Sequence, residues 1–338
     1  MNSLNDNFNQ AIALIQSSKK ILLVSHRRPD GDTLGATVAL AHALVQLGKT
    51  VVPACMDQIS SRLTFISDAL PQGMEFVREF EMDDYDLMII SDAGASHMTG
   101  FQERYEEFLS NKLPIINIDH HASNDNFGVV NCVDAQASSA TVMVYRLLKL
   151  MGTTFNQSIA LALLAGIYND TGGFMHSNTN QETFEIAGDL TRYDVPVSQI
   201  VKPMFKQSSM AQLKLWGHLL EKMQKNDKDV VSSVVTRKDL SVVGADASDT
   251  GGIIDLMSTV KGARFTILLT EDRGVVKGSL RTQRDDVDVN KIAQQFGGGG
   301  HMKASGFRMH GRLEQHTVWK IAPADGTPAS TTSSVELP

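Results

Sequence analysis

Apolar and polar positions alternate along the chain in two textures. Residues 4–18 carry apolar side chains at helical spacing, the pattern of an amphipathic helix. The run Ile21-Leu22-Leu23-Val24 is apolar at every position, as a strand buried on both faces would be. It gives way to the turn-rich stretch 25–35, then to a helical stretch, Ala36–Leu47, stopped by Gly48. Thr50–Cys55 reads as a second strand. Strand, loop, helix and strand in this order predict a doubly wound, mainly parallel sheet. The pattern recurs. Leu87–Ile90 is a predicted strand that stops at Ser91-Asp92, and Pro114–Ile118 is one that stops at Asp119-His120-His121. The helical run Ser158–Tyr168 ends at Asn169-Asp170. Acids and histidines thus collect just past the C-terminal ends of apolar elements, where open α/β sheets place ligands. One such Asp is ordinary loop chemistry, but three elements ending this way shift the odds toward a site.

Residues 196–225 read as helical and polar-rich, a linker. After Asn226-Asp227 the texture changes: Val230–Thr236, Phe265–Leu269 and Val275–Leu280 look like strands, and Ile253–Val260 and Val289–Phe296 like helices. The expected organisation is a first α/β domain over 1–195, a helical linker over 196–225 and a smaller α/β domain over 226–323. Residues 324–338, rich in Pro, Ser and Thr, have little to bury and are expected to be a disordered tail.

The length of 338 residues suits two domains. A hydrophobic fraction of 42% with 20% charged residues excludes a disordered, collagen-like or coiled-coil chain. Thirty-one Lys and Arg against 38 Asp and Glu leave −7, so this is not a basic nucleic-acid coat. A phosphate-bearing partner would have to be attracted locally, by placed cations or by metal. Cys55 and Cys132 have no CxxC spacing, which argues against a zinc-thiolate site and a disulfide framework and fits a reducing cytosol. The N-terminus is polar without a basic n-region, and no apolar run reaches about 18 residues. A cytoplasmic chain without a membrane span is the expectation.

The densest chemistry lies in Ser25-His26-Arg27-Arg28-Pro29-Asp30-Gly31-Asp32. Pro29 and Gly31 force a turn, so His26, Asp30 and Asp32 can converge instead of lining one helix face. Imidazole and carboxylate without thiolate suit a hard or borderline divalent ion such as Mn²⁺ or Mg²⁺. The competing reading is a solvated turn with a helix N-cap at Asp32 or Thr33. Asp92, His120 and Asp170 extend the set. An acid such as Asp170 at a helix C-terminus is disfavoured by the dipole and needs a cation.

In this order and spacing HRRPDGD, SDAGA, IDHH and YNDTGGF resemble the four motifs of the DHH phosphoesterases. Gly297-Gly298-Gly299-Gly300-His301, preceded by Ser279-Leu280-Arg281, looks like the DHHA1 substrate domain. The resemblance spans about the whole chain. It is strongest to the bacterial bifunctional oligoribonuclease and 3′-phosphoadenosine 5′-phosphate phosphatases. It implies a DHH domain, a DHHA1 domain and an active site in the cleft between them. It further implies two Mn²⁺ ions, with Mg²⁺ or Co²⁺ as substitutes. His26 and Asp30 would bind one ion, Asp32, His120 and Asp170 the other, and Asp92 both. His121 would meet substrate phosphate, with Asp119 supporting the histidine pair. Four carboxylates carry −4, which two divalent ions would cancel, and water between such ions becomes a nucleophile near neutrality. Arg281, Gly298, Gly299, Gly300 and His301 would bind a terminal phosphate. Taken alone, the four glycines read as a helix C-cap and a flexible spacer. Phe174 is a candidate base platform and equally a core residue. Arg264 and Lys277 read as solvated surface, and His97, His176 and His310 as residues without a role.

The implied activity is removal of mononucleotides from short single-stranded oligoribonucleotides, and of a phosphate from 3′-phosphoadenosine 5′-phosphate. A phosphodiesterase for cyclic di-AMP or linear pApA is the runner-up, and a non-catalytic nucleotide sensor stands behind it. A family II pyrophosphatase is disfavoured because its second domain lacks GGGGH. A long-substrate exonuclease is disfavoured by length, and a scaffold protein would not need four inward carboxylates. A homodimer is among the expectations. Thr282 stands where the family often has Ser, and Arg27-Arg28 is more basic than usual.

Overall fold

The computed structural model describes residues 2–105, 107–109, 112–205, 208–314, 319–320 and 334–335. It divides into two compact units, Met1–Ser208 and Ser209–Pro338. The break falls within the stretch expected to link two domains. Most of the expected tail, 324–338, lies outside the described residues; of it only Ser334–Val335 is described, paired with Trp319–Lys320 of the expected second domain. No helix among the described residues is long and apolar enough to cross a membrane.

The first unit runs α1 (Asn2–Ser17), β1 (Lys20–Val24), α2 (Gly31–Gln46), β2 (Thr50–Ala54), α3 (Thr64–Ser67), β3 (Leu87–Ser91), β4 (Ile115–Asp119) and β5 (Val130–Val133). Then come α4 (Ala140–Leu150), α5 (Gln157–Asp170), α6 (Gln181–Leu190) and α7 (Val197–Phe205). The five strands form an all-parallel sheet in the order β2-β1-β3-β4-β5. Alternate residues of each strand enter different cores. Ile21, Leu23, Leu87, Ile89, Ile116 and Ile118 join the core built with α1, α2, α4 and α5. Leu22, Val24, Met88, Ile90 and Ile115 meet Phe80, Phe101 and Phe108, from a segment without an α-helix. This explains why the central strands are apolar throughout.

Helix α2 begins at Gly31, five residues before the helix read from the sequence. Its cap is Asp30, whose Oδ1 accepts from the Asp32 and Thr33 amides at 2.9 and 3.2 Å, and not Asp32 or Thr33. Gly35 lets α2 lie against α5, because a Cβ there would sit 2.3 Å from the Ala162 carbonyl oxygen. The order of strands reverses between β1 and β3: the chain leaves β1 toward β2 and returns on the other side as β3. Crevices at the C-terminal edge of a parallel sheet open at such a reversal.

The second unit contains α8 (Met210–Glu221), β6 (Gln224–Lys225), β7 (Val230–Val235), α9 (Arg237–Val243), α10 (Ile253–Met257), β8 (Phe265–Asp272), β9 (Val275–Arg281), α11 (Val289–Gln294), β10 (Gly299–Gly300) and β11 (Ala304–His310). Six strands pair in the order β10-β11-β9-β8-β7-β6, and only β7 and β8 run parallel. Its cores are its own, around Leu215, Val231, Ile253 and Leu268 and around Leu280, Val289 and Phe307.

Candidate metal centre

The ends of β1, β3 and β4 bring the acids and imidazoles together. His26 follows β1, Asp92 follows β3, Asp119 ends β4 and His120 and His121 follow it. Asp30 and Asp32 open α2, and Asp170 closes α5. Thr33 locks the arrangement. Its hydroxyl donates to the Ser91 carbonyl at 3.1 Å and accepts from the His26 amide at 3.4 Å, joining β1, α2 and β3.

Asp92 is the centre of the cluster. Its Oδ2 lies 3.3 Å from His26 Nε2, and its Oδ1 lies 3.6 Å from His120 Nε2. The residue is buried and holds a left-handed φ of +63°. Such backbone is unusual for a non-glycine residue and is tolerated best by Asp and Asn. On one side stand His26 and Asp30, with Nε2 to Oδ1 at 3.8 Å. On the other, His120 Nε2 faces Asp170 Oδ2 at 3.4 Å and Asp32 Oδ2 at 3.9 Å.

These residues fit a metal. The His26 Nδ1–H donates to the Arg27 carbonyl at 2.8 Å, so a neutral His26 points its Nε2 lone pair at two carboxylates. Lone pairs facing one another need a cation between them. Separations of 3.3–3.9 Å are too long for good hydrogen bonds. They are near the roughly 3 Å that separates neighbouring ligands set about 2.1 Å from one ion. Ligand atoms of His26, Asp30 and Asp92 lie within 4.8 Å of one another, as do those of Asp32, His120 and Asp170, and those of Asp92, Asp119, His120 and His121.

Bare, the cluster is electrostatically frustrated. Burial and the neighbouring Asp92 and Asp30 carboxylates push Asp170 up to about 7, against the pull of His120. Burial, with Asp92 and Asp170, also raises Asp32. Burial works against the charged form of Asp92, yet His120 and His26 hold its carboxyl well below the usual range. Burial pulls His26 and His120 down, and the facing acids more than reverse it, leaving both above an ordinary imidazole. Acids and imidazoles crowded in this way call for positive charge among them.

Neighbouring residues aim the ligands, and the sequence reading missed most of them. Asp32 accepts from the Ala140 and Thr141 amides at 2.6 and 2.9 Å and from the Thr141 hydroxyl at 2.7 Å, at the start of α4. The Ser-Ser-Ala-Thr run before an apolar stretch was the available signal of that helix start. Asp119 Oδ1 accepts from His121 Nδ1 at 2.8 Å, while its Oδ2 accepts from Asn124 Nδ2 at 2.6 Å. Behind Asn124, buried Asn117 donates to the Oδ1 atoms of Asn124 and Asn131 at 2.9 and 3.2 Å. His176, read as having no role, donates from Nδ1 to the Asp170 carbonyl at 3.1 Å.

In the second unit, Arg281 ends β9. Its Nε donates to Asp255 Oδ1 at 2.8 Å and a terminal nitrogen donates to the Leu280 carbonyl at 3.1 Å, which fixes the guanidinium. The Gly297 and Gly298 amides donate to Gln294 and Ala293 carbonyls of α11. A Cβ at Gly298 would sit 2.1 Å from the Gly306 carbonyl oxygen, so this turn needs glycine for packing. Gly299 and Gly300 pair with Gly306 and Ser305, and exposed His301 follows them.

Comparison with known proteins agrees with this architecture. Residues 20–167 match the DHH family, N-terminal domain, and residues 227–317 match the DHHA1 domain. The chain is 29% identical over 301 residues to the bifunctional oligoribonuclease and PAP phosphatase NrnA of Thermus thermophilus, covering 86% of this chain and 84% of that protein. It is 25% identical over 303 residues to the protein of the same name from Bacillus subtilis, covering 88% and 91%. An exopolyphosphatase-related protein from Bacteroides fragilis has the same fold, with a TM-score of 0.83 at 24% identity over 91% of this chain and 92% of that one. With a DHH domain followed by a DHHA1 domain along most of its length, the chain belongs to the DHH/DHHA1 family.

Proposed function

We propose that the protein is a divalent-metal phosphoesterase. It releases mononucleotides from short single-stranded oligoribonucleotides and removes the 3′-phosphate of 3′-phosphoadenosine 5′-phosphate. The observation that carries this reading is Asp92, whose two oxygens face two different histidines, each backed by its own carboxylates. That pattern supports a two-metal site with a shared acid. The names of the relatives support the choice of substrates.

His26, Asp30 and Asp92 would hold one Mn²⁺, and Asp32, Asp92, His120 and Asp170 the other. Such a pair supplies Lewis acidity at phosphorus and a water acidic enough to attack at neutral pH. The protein's own groups do the rest. The Ala140 and Thr141 amides hold the Asp32 carboxyl aimed inward. Burial works against a charged His121, but Asp119, accepting from Nδ1, more than reverses it, so the imidazolium form would present its Nε2–H to the phosphoryl group. In hydrolysis an O–P bond forms from water, the P–O3′ bond breaks, and the leaving oxygen takes a proton. His121 is the residue to deliver it. Arg281, oriented by Asp255, and His301 are the proposed grip on a terminal phosphate, with domains 1–195 and 226–323 supplying chemistry and grip respectively.

A substrate panel with Mn²⁺ tests this. It contains labelled di- to pentaribonucleotides, a long RNA, 3′-phosphoadenosine 5′-phosphate, cyclic di-AMP and pyrophosphate. Turnover of the short oligonucleotides and the bisphosphate, abolished by EDTA and restored by Mn²⁺, is expected. Turnover of cyclic di-AMP or pyrophosphate alone would overturn the substrate assignment.

A further inference from the structure

Beyond Asp170 the chain makes a turn whose side chains the proposed reaction does not use. Gly172, Gly173 and Phe174 take left-handed φ values of +57°, +69° and +68° in succession. Glycine adopts such backbone freely, whereas a phenylalanine there is held against its preference. The Phe174 amide donates to the Thr171 hydroxyl at 3.0 Å, and the Met175 amide to the Thr171 carbonyl at 2.9 Å. The enforced turn sets the Phe174 ring edge-on to Tyr168, with centroids 5.6 Å apart, and face to face with Phe184, at 5.4 Å and 25°.

Phe184 lies on α6 and is 58% exposed, and Met175 is 81% exposed. Both belong to segments tied to the metal centre. Asn178 donates to the Asp170 carbonyl at 3.3 Å and the Ser138 carbonyl at 2.9 Å. The Thr183 hydroxyl, beside Phe184, donates to the Ser138 hydroxyl at 2.9 Å. Ser138 in turn lies two and three residues before the amides that grip Asp32. A solvent-facing ring, backed by a second ring, is therefore fastened to the turn after Asp170 and to the α4 start that grips Asp32.

We infer that Phe184, backed by Phe174 and edged by Met175, is a stacking platform for a nucleobase of the substrate. Acids and imidazoles around metal recognise phosphate and cannot tell a nucleotide from a bare phosphate chain. Stacking on a π-face supplies that distinction without choosing among bases. The inference rests on the proposed phosphoesterase reading and adds to it the element that selects nucleotides.

Calorimetry on the full-length chain with Mn²⁺ tests the platform by binding, not turnover. The probes are AMP and ribose 5-phosphate, which share a phosphorylated ribose and differ by the base. In the wild type AMP is expected to bind more tightly. F184A and F184L should lower the ratio of AMP to ribose 5-phosphate affinity about tenfold, and F184Y should keep it. Leucine preserves apolar bulk, so loss in F184L identifies the ring face. An unchanged ratio in F184A, or F184L matching the wild type, overturns the platform. A wild type that shows this preference yet fails to cleave short oligonucleotides would overturn the proposed reaction and leave the platform standing.

Discussion

At the scale of the residue, Asp92 carries the most. Its carboxylate lies between His26 and His120, one oxygen toward each. Replacing it with Asn keeps the size and tolerates the left-handed backbone at φ +63°. D92N is expected to fold with a Tm near the wild type and to lose at least about 100-fold in turnover. D92A should lose the same activity and in addition about 1 kcal/mol of stability from backbone strain. Thermal melts beside a hydrolysis assay separate the two effects, and normal turnover in D92N would end the shared-ligand assignment. The sequence displayed this acid as the end of an apolar strand. It could not display the strain, because φ is set by how the turn after β3 meets β4, where the Asp92 amide donates to the Ile118 carbonyl.

At the scale of the element, α2 serves the site with its first turn. Asp30 is both the cap of this helix and a candidate ligand. Asn caps a helix about as well as Asp but is a far poorer ligand for a hard cation. D30N should therefore retain stability and lose metal affinity, whereas D30A should lose metal affinity and about 1 kcal/mol of stability as well. Urea denaturation of the metal-free variants reads the second effect alone, and equal stability of the two would remove the capping role. The motif HRRPDGD predicts a turn with the helix starting at Ala36, whereas α2 begins at Gly31. Asp-Gly-Asp-Thr is good turn chemistry on its own, and only packing of α2 against α5 makes the helical continuation prevail.

At the scale of the whole molecule, the chain has two units with separate cores, and every proposed metal ligand lies in the first. The metal-free first unit should weaken as pH rises. Asp170, with a folded pKa of about 7 against an unfolded value near 3.9, favours folding less as it ionises between those values. His26 and His120, raised in the fold, stabilise it below about 6.5, and that stabilisation is lost as pH climbs through their raised values. Asp92 is lowered, so its contribution is lost only in acid and does not offset the others near neutrality. Scanning calorimetry of EDTA-treated protein should show the first unit's transition falling as pH rises toward and past about 7 and restored by Mn²⁺, with the second unit's transition indifferent to the ion. Two transitions that both ignore metal and pH would remove the case for a buried ion site.

Amino-acid order alone determined the parallel α/β class, the position of acids and histidines at the ends of β1, β3, β4 and α5, and the glycine turn of the second unit. These follow from local spacing of apolar residues and from turn chemistry, which act over a few residues. Tertiary structure alone decided that Asp92 faces two histidines at once, that the start of α4 grips Asp32 across 108 positions, and that Asn124, held by Asn117 of β4, steers Asp119. It likewise set Phe184 against Phe174. Contacts of that kind arise when sheet order and helix packing bring distant segments together, and neither leaves a periodic trace in sequence.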